Sequence, residues 1–323
     1  MLRRIVHVLI AVALAVFGCT SLSAQEWPQR TIKIVAIAPP GGLIDIAARI
    51  LADHLAPVLG QPVVVENRPG AGGNIAARVV ASSAPDGYTL LISGNNLSMN
   101  QILIPDPTFN YERDLAPVAM LVSADTLMVA NPALPVKNMS EFLAMAKRRD
   151  TPFPIAVASM GTPNHLAAEL LVQLTGIDFT FIPYAGVGQE MPDIMSGRIQ
   201  VMFSALPSVF PFLTAGSVKG LAVTRPQRSK FVPDIPSAAE LGLPGLDVSS
   251  WICIMTTAGT PAPVIRRLHD AIQDIMQLQD VRASFAAQGA EPFLMSSEEL
   301  GRYMKMDTIK WTGVLKHAKM KKE

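Results

Sequence analysis

The chain has 323 residues, with 27 Lys plus Arg against 26 Asp plus Glu, a formal net charge of +1 and half of its residues hydrophobic. This near-neutral balance argues against a nucleic-acid surface, because the basic residues are scattered apart from Lys316, Lys319, Lys321 and Lys322, which read as a solvated carboxy-terminal end. The cysteines are Cys19 and Cys253, so removal of an amino-terminal leader excludes an intrachain disulfide and leaves stability to packing.

The leader comes first in chain order. Met1-Leu2-Arg3-Arg4 and the apolar run from Ile5 to Gly18 form a basic head and an apolar segment too short to span a bilayer. Residues 1–24 are therefore expected to be a signal peptide cut after Ala24, although Leu22 is large for its place before the cut. A second reading stands beside it: Val16-Phe17-Gly18-Cys19 resembles a lipoprotein box that would lipidate Cys19, with bulky Phe17 against it. Both readings export the body to the periplasm, either soluble or anchored at Cys19.

The remaining chain of roughly 300 residues exceeds one ordinary core and points to two lobes. Strand-like runs alternate with helical periodicity: Ile32 to Ile37, helix Ile44 to Leu55, Val63 to Val65, helix Asn74 to Ala81, Tyr88 to Ile92. That rhythm predicts a mainly parallel sheet covered by helices. Pro105 to Pro117 and Asn131 to Val136, proline-rich and poorly periodic, read as crossing segments. The rhythm resumes with Ile155 to Ala158, helix Asn164 to Leu174, Phe179 to Ile182, helix Gln189 to Ser196 and Ile199 to Phe203. The strand-like Val248 to Met255 is expected to return to the first lobe, followed by helices Pro263 to Leu278 and Ser297 to Val314. The expected division is one lobe of residues 25–122 with 249–323 and a second of residues 123–248.

Three strand-to-helix loops carry the candidate chemistry, because a helix amino end offers unpaired N–H groups and partial positive charge to an anion. They are Pro39-Pro40-Gly41-Gly42-Leu43-Ile44-Asp45, Arg68-Pro69-Gly70-Ala71-Gly72-Gly73-Asn74 and Ser159-Met160-Gly161-Thr162-Pro163-Asn164-His165. Each alone could be a tight turn with a helix cap. Together they converge on the crevice that forms at strand carboxyl ends in α/β sheets. Asp45, one turn into its helix, either stabilises the amino end, orients the loop or accepts a hydrogen bond from a solute. Tyr184, ahead of Gly186, offers an apolar wall and a hydroxyl, with core packing as its alternative role.

Gly70-Ala71-Gly72 opens like a dinucleotide fingerprint, but the third glycine position holds Ile75, so no nicotinamide or other cofactor is expected. HExxH, CxxC, GxSxG and Walker motifs are absent, and His54, His165, His269 and His317 lie far apart, leaving metal and triad catalysis without support.

Taken in order, Trp27-Pro28, Pro40-Gly41-Gly42 with Asp45, and Gly60-Gln61-Pro62-Val63-Val64-Val65-Glu66-Asn67-Arg68-Pro69-Gly70-Ala71-Gly72-Gly73-Asn74 form a specific series. It continues through Pro85-Asp86-Gly87-Tyr88, Pro183-Tyr184, Pro233-Asp234-Ile235-Pro236-Ser237, Leu243-Pro244-Gly245 and Ala258-Gly259-Thr260-Pro261. Over nearly all of the mature chain the sequence resembles the Bug, or tripartite tricarboxylate transporter (TctC-like), family of extracytoplasmic solute receptors. The resemblance implies a type II, Venus-flytrap periplasmic binding protein of α/β class, monomeric, that captures a small organic carboxylate for membrane transporter subunits. It places ligand contacts at Gly41, Gly42, Asp45, Ser93 and Asn95 in the first lobe, and at Ser159, Gly161, Thr162, His165 and Tyr184 in the second.

Against the family pattern, Ala38 replaces a common aromatic, Ile44 a common threonine and Ser204 a common aspartate. These departures imply a roomier or more apolar pocket, suited to an aromatic or longer-chain carboxylate, with Ser204 among its lining residues. Two rival readings are a secreted hydrolase or transferase using Ser159 and His165, which lacks a recognisable orienting acid, and a sensory receptor feeding a membrane kinase.

Overall fold

The computed structural model describes residues 27–103, 108–158, 162–184 and 186–317. The leader, Cys19, Ser159, Gly161, Lys319, Lys321 and Lys322 lie outside the described residues.

The first half begins with β1 (Ile32–Ala36), α1 (Leu43–Leu59), β2 (Val63–Asn67), α2 (Asn74–Ala81) and β3 (Thr89–Gly94). β1 lies between β2 and β3 with both pairings parallel, and its residues Ile34, Val35 and Ala36 are buried on both faces. A strand covered on both sides needs such a continuous apolar run. α1 turns Ala47, Ala48, Leu51, Ala52, Leu55 and Leu59 onto the sheet, the stripe that helical periodicity produces, and stops at Gly60 in the left-handed region (φ 68°).

After α3 (Asn96–Leu103) and α4 (Tyr111–Asp114) comes β4 (Leu115–Ala130), sixteen residues long. Sequence reading placed a crossing segment where this strand starts. Pro117, which cannot donate to a ladder, sits where the register against β9 shifts. From Leu115 to Asp125, β4 pairs antiparallel with β9 (Ser249–Thr257); from Thr126 it pairs with β7 (Val201–Ala205), and from Leu127 also with β8 (Lys219–Val223). One strand thus serves both halves.

The second half contains α5 (Met139–Ala146), β5 (Phe153–Ala158), α6 (Pro163–Thr175), β6 (Phe179–Tyr184), α7 (Val187–Ser196) and α8 (Leu206–Thr214). β5 is parallel to β6 and to β7. The chain closes with α9 (Ala262–Gln277), α10 (Gln279–Ala286), β10 (Ala290–Pro292) and α11 (Ser297–His317). The sheet order is β2-β1-β3-β9-β4-β7-β5-β6, with β8 and β10 also on β4. Each half therefore has a parallel outer set and antiparallel strands where the halves meet.

Apolar cores lie on both faces of each half. α11 joins two of them: Leu300 and Met304 pack in a first-half core, while Trp311, Val314 and Leu315 pack with Phe142, Ile155 and Leu166 of the second. Cys253 is a buried free thiol whose pKa burial pushes up, making it part of the packing. No described helix is long and apolar enough to cross a membrane.

Candidate functional site

The loop from β1 to α1 is built around one carboxylate. Asp45 is buried, and its Oδ2 accepts from the Gly41 N–H and from Arg49 Nε, both at 3.0 Å. Its Oδ1 accepts from Arg49 Nη2 at 3.0 Å and Asn67 Nδ2 at 2.8 Å, and the same Asn67 amide reaches the Ala38 carbonyl at 3.0 Å. The Arg49 guanidinium, helped by the Gly41 and Asn67 donors, holds the Asp45 carboxyl down at about 2 against the cost of burial. All these bonds go to the loop, the helix and the end of β2. Asn67, quoted above only as part of a family run, is thereby a structural partner of the site.

With Gly41 turned in at φ 93°, α1 starts at Gly42, which carries no capping side chain. Among the described residues, a Cβ added at Gly41 or Gly42 would meet nothing within 4 Å, so the amide-bearing helix end faces open space there.

Replacing Asp45 by asparagine is expected to cost about 1–2 kcal/mol at pH 7, a figure reduced because Arg49 is half exposed and solvent-screened. A carboxyl with a depressed folded-state pKa contributes stability above its ordinary value of 3.8 and loses it as pH falls through about 2. Urea unfolding of both proteins should therefore show a gap at pH 7 that closes towards pH 2. A pH-independent gap would contradict the assignment.

The second loop differs. Gly70, Ala71, Gly72 and Gly73 all have positive φ, and a Cβ at Gly72 would lie 2.7 Å from Asn100 Oδ1. Asn100 Nδ2 bonds the Gly72 carbonyl and Asn74 Oδ1, both at 2.9 Å. Gly72 serves close packing against the Asn100 amide, and Gly70 and Gly73 against the side chains of Ile75 and Ile37.

At the end of β3, Asn95 accepts from the Trp251 N–H at 2.9 Å and donates to the Ser249 carbonyl at 3.1 Å, tying the strand end to β9. Ser93 is fully buried, and its Oγ has no hydrogen-bond partner among the described residues.

In the second half, Thr162 caps α6, its Oγ1 accepting from the His165 N–H at a long 3.4 Å. The His165 ring is wholly buried, edge-on to Phe181, with Nε2 3.6 Å from Glu169 Oε1. Glu169 is an acid beside the imidazole that motif reading did not reveal. Tyr184 donates its hydroxyl to Asp193 Oδ2 at 2.6 Å, and burial, then the Asp193 carboxylate, push its pKa up to about 12. Ser204 is buried with a 3.5 Å contact to the Ala205 carbonyl. The candidates thus gather into Gly41, Gly42 and Asp45 at one helix end and Thr162 with His165 at another. Ser93, Asn95, Tyr184 and Ser204 stand singly at strand ends.

Sequence reading passed over Glu190. It sits in the first turn of α7 with no exposure, and neither carboxyl oxygen has a hydrogen-bond partner among the described residues.

Residues 47–320 match the model of the tripartite tricarboxylate transporter family receptor, TctC. The chain belongs to this family. The receptor is 34% identical to protein BugT of Bordetella pertussis over 97% of each chain. Among solved structures, it is similar to R. palustris Rpa4515 with adipate (29% identity, TM-score 0.81, 90% of this chain and 98% of that one). It is also similar to MatC from Rhodopseudomonas palustris with bound malate (30% identity, TM-score 0.77, covering 89% and 99%). The periplasmic binding protein BugD aligns with a TM-score of 0.76 at 29% identity. The receptor accordingly has the two-lobed α/β fold of periplasmic binding proteins, and its family and fold are those of solute-binding receptors.

Proposed function

We propose that the receptor captures a small organic carboxylate between its lobes, without chemistry, in the periplasm and delivers it to membrane transporter subunits. The observation that carries this reading is a pair of helix amino ends, α1 in the first half and α7 in the second. Among the described residues, each starts at a glycine, Gly42 or Gly186, with no side-chain cap and with open space where a Cβ would stand. Each follows the carboxyl end of a parallel strand, where α/β sheets hold ligands. Uncapped N–H groups and the helix dipole favour a negative guest. Similarity to proteins whose structures hold adipate and malate supports the same chemical class.

In this reading the lobes comprise residues 25–122 with 249–323, and residues 123–248. Their hinge lies near Asp125 and Thr126, where β4 exchanges β9 for β7. Ala38, Ile44 and Ser204 widen the pocket for an aromatic or longer-chain acid. The wholly buried His165 ring favours a structural or ligand-orienting part over general-base catalysis.

The test is a thermal-shift screen across mono- and dicarboxylates, in which a solute at a hundred times its Kd adds about 2.7 kcal/mol of stability. Gly42→Val, at an ordinary φ of −85°, fills the helix mouth without backbone strain and should weaken the best binder at least tenfold, while the free protein loses only a favoured N-cap residue and stays folded. A screen without any stabilising acid, or an unaltered affinity in the variant, would defeat the proposal.

A further inference from the structure

The receptor buries four carboxylates nearly completely among the described residues: Asp45, Asp125, Glu169 and Glu190. Three have partners. Asp45 holds Arg49, Asn67 and the Gly41 amide; Asp125 pairs with Arg225 at 3.1 Å; Glu169 lies against His165. Glu190 has no hydrogen-bond partner for either oxygen among the described residues. A carboxylate stripped of water and given no donor is a costly feature that a purely structural role does not explain, since the acid could be replaced by an apolar residue at a gain.

Its position says what could use it. α7 follows β6 and packs on β5, β6 and β7, presenting Glu190, Met191 and Ile194 to the sheet. Met191 and Ile194 join a core with Ala156 and Met202. Glu190 lies one turn before Ile194, towards the amino end of α7, and so over the carboxyl ends of the parallel strands. Side chains alternate along β7, so Ser204 shares the face of Met202, and the Glu190 carboxyl and the Ser204 hydroxyl belong to the same end of the same face. That end is also where Gly186 leaves α7 uncapped and open. An isolated acid and an open helix mouth are therefore two separate features of one corner of the cleft.

We infer that Glu190 selects the far end of the solute, taking a hydrogen-bond-donating group, ammonium or hydroxyl, while the carboxylate is held by the helix amino ends. This rests on the carboxylate-capture reading above. An ionised carboxyl only accepts hydrogen bonds, so a donor satisfies it, a methyl leaves it bare and a second carboxylate is repelled. A site built around a buried acceptor rejects an analogue lacking the matching donor more strongly than an apolar wall rejects an extra methylene. The partner chemistry follows from Glu190 alone, and the two donor classes are separated by experiment.

The test is isothermal titration at pH 8 of the intact receptor, Glu190→Gln and Glu190→Ala with hexanoate, 6-hydroxyhexanoate, 6-aminohexanoate and adipate. The same four end groups are also presented on a four-carbon chain and at the para position of benzoate. The expected result is that, in at least one series, the amino or the hydroxy acid binds the natural receptor at least tenfold more tightly than the plain acid and the diacid. Both variants should lose that advantage at least tenfold while holding the plain acid within about twofold. If the series bind but the plain acid or the diacid is preferred, or if both variants keep the natural order and spacing, the assignment of Glu190 falls and carboxylate capture stands. If no compound binds the natural receptor, the capture reading falls first and takes the assignment with it.

Discussion

Trp311→Ala should lower the unfolding free energy by about 3–5 kcal/mol, the range for truncating a buried large aromatic. Trp311 is 1% exposed and lies in the second-half core although α11 starts in the first, with Leu300 and Met304 packed there three and two turns earlier. Its indole Nε1 donates to Asp307 Oδ1 at 2.8 Å, so truncation also removes a donor from a carboxyl that burial pushes up to about 6. Met306→Ala is the matched control, since Met306 is 64% exposed on the same helix and its loss should cost less than about 0.5 kcal/mol. Urea unfolding of the two variants compares them directly. Equal, small costs would mean that the end of α11 does not help join the halves.

The second large effect belongs to Glu190 in the absence of any solute. Burial pushes its pKa up to about 7 from an ordinary 4.5. A raised folded-state pKa means that the native protein holds a proton the unfolded chain has released. The stability linked to that proton is complete below pH 4.5, declines between 4.5 and 7, and stays lost above 7. The span corresponds to about 3 kcal/mol. Glu190→Gln removes the titration. The difference in unfolding free energy between variant and natural receptor should thus move by about 2–3 kcal/mol in favour of the variant from pH 4.5 to pH 8. Other carboxyls, Asp307 included, titrate in both proteins and cancel. Denaturant melts across this range provide the measurement, and a flat difference would show that the acid is hydrated or partnered in solution.

These two residues also mark the limit of what a one-dimensional reading can reach. The alternation of β-branched runs with helical stripes was legible because strand and helix impose periods on the residues that carry them, as Ile34 to Ala36 and Leu51, Leu55 and Leu59 show. The glycine loop ahead of α1 was legible for a similar local reason: Gly41 and Gly42 separate a strand-like run from a helical stripe, and Gly41 takes a positive φ there. Family membership needed only the order of such runs.

What the sequence could not disclose depends on pairing across long separations. Asn67 reads as the last residue of a strand, and only the parallel register of β1 with β2, Ala36 beside Asn67, brings its amide to Ala38 and Asp45. β4 was hidden because Pro117 breaks the pattern expected of a strand, whereas its length and change of partners are set by β9 and β7, more than seventy residues further on. Tyr184 read as either a solute wall or a packing residue, and only the turn of α7 brings Asp193 to its hydroxyl. Glu190 is the sharpest case. Its local sequence marks it as an ordinary polar helix residue, and only the packing of α7 on β5, β6 and β7 buries it where none of the described residues gives it a donor. Local periodicity determined the elements and the family of this receptor; the long-range packing of those elements decided which polar groups are satisfied and which are not.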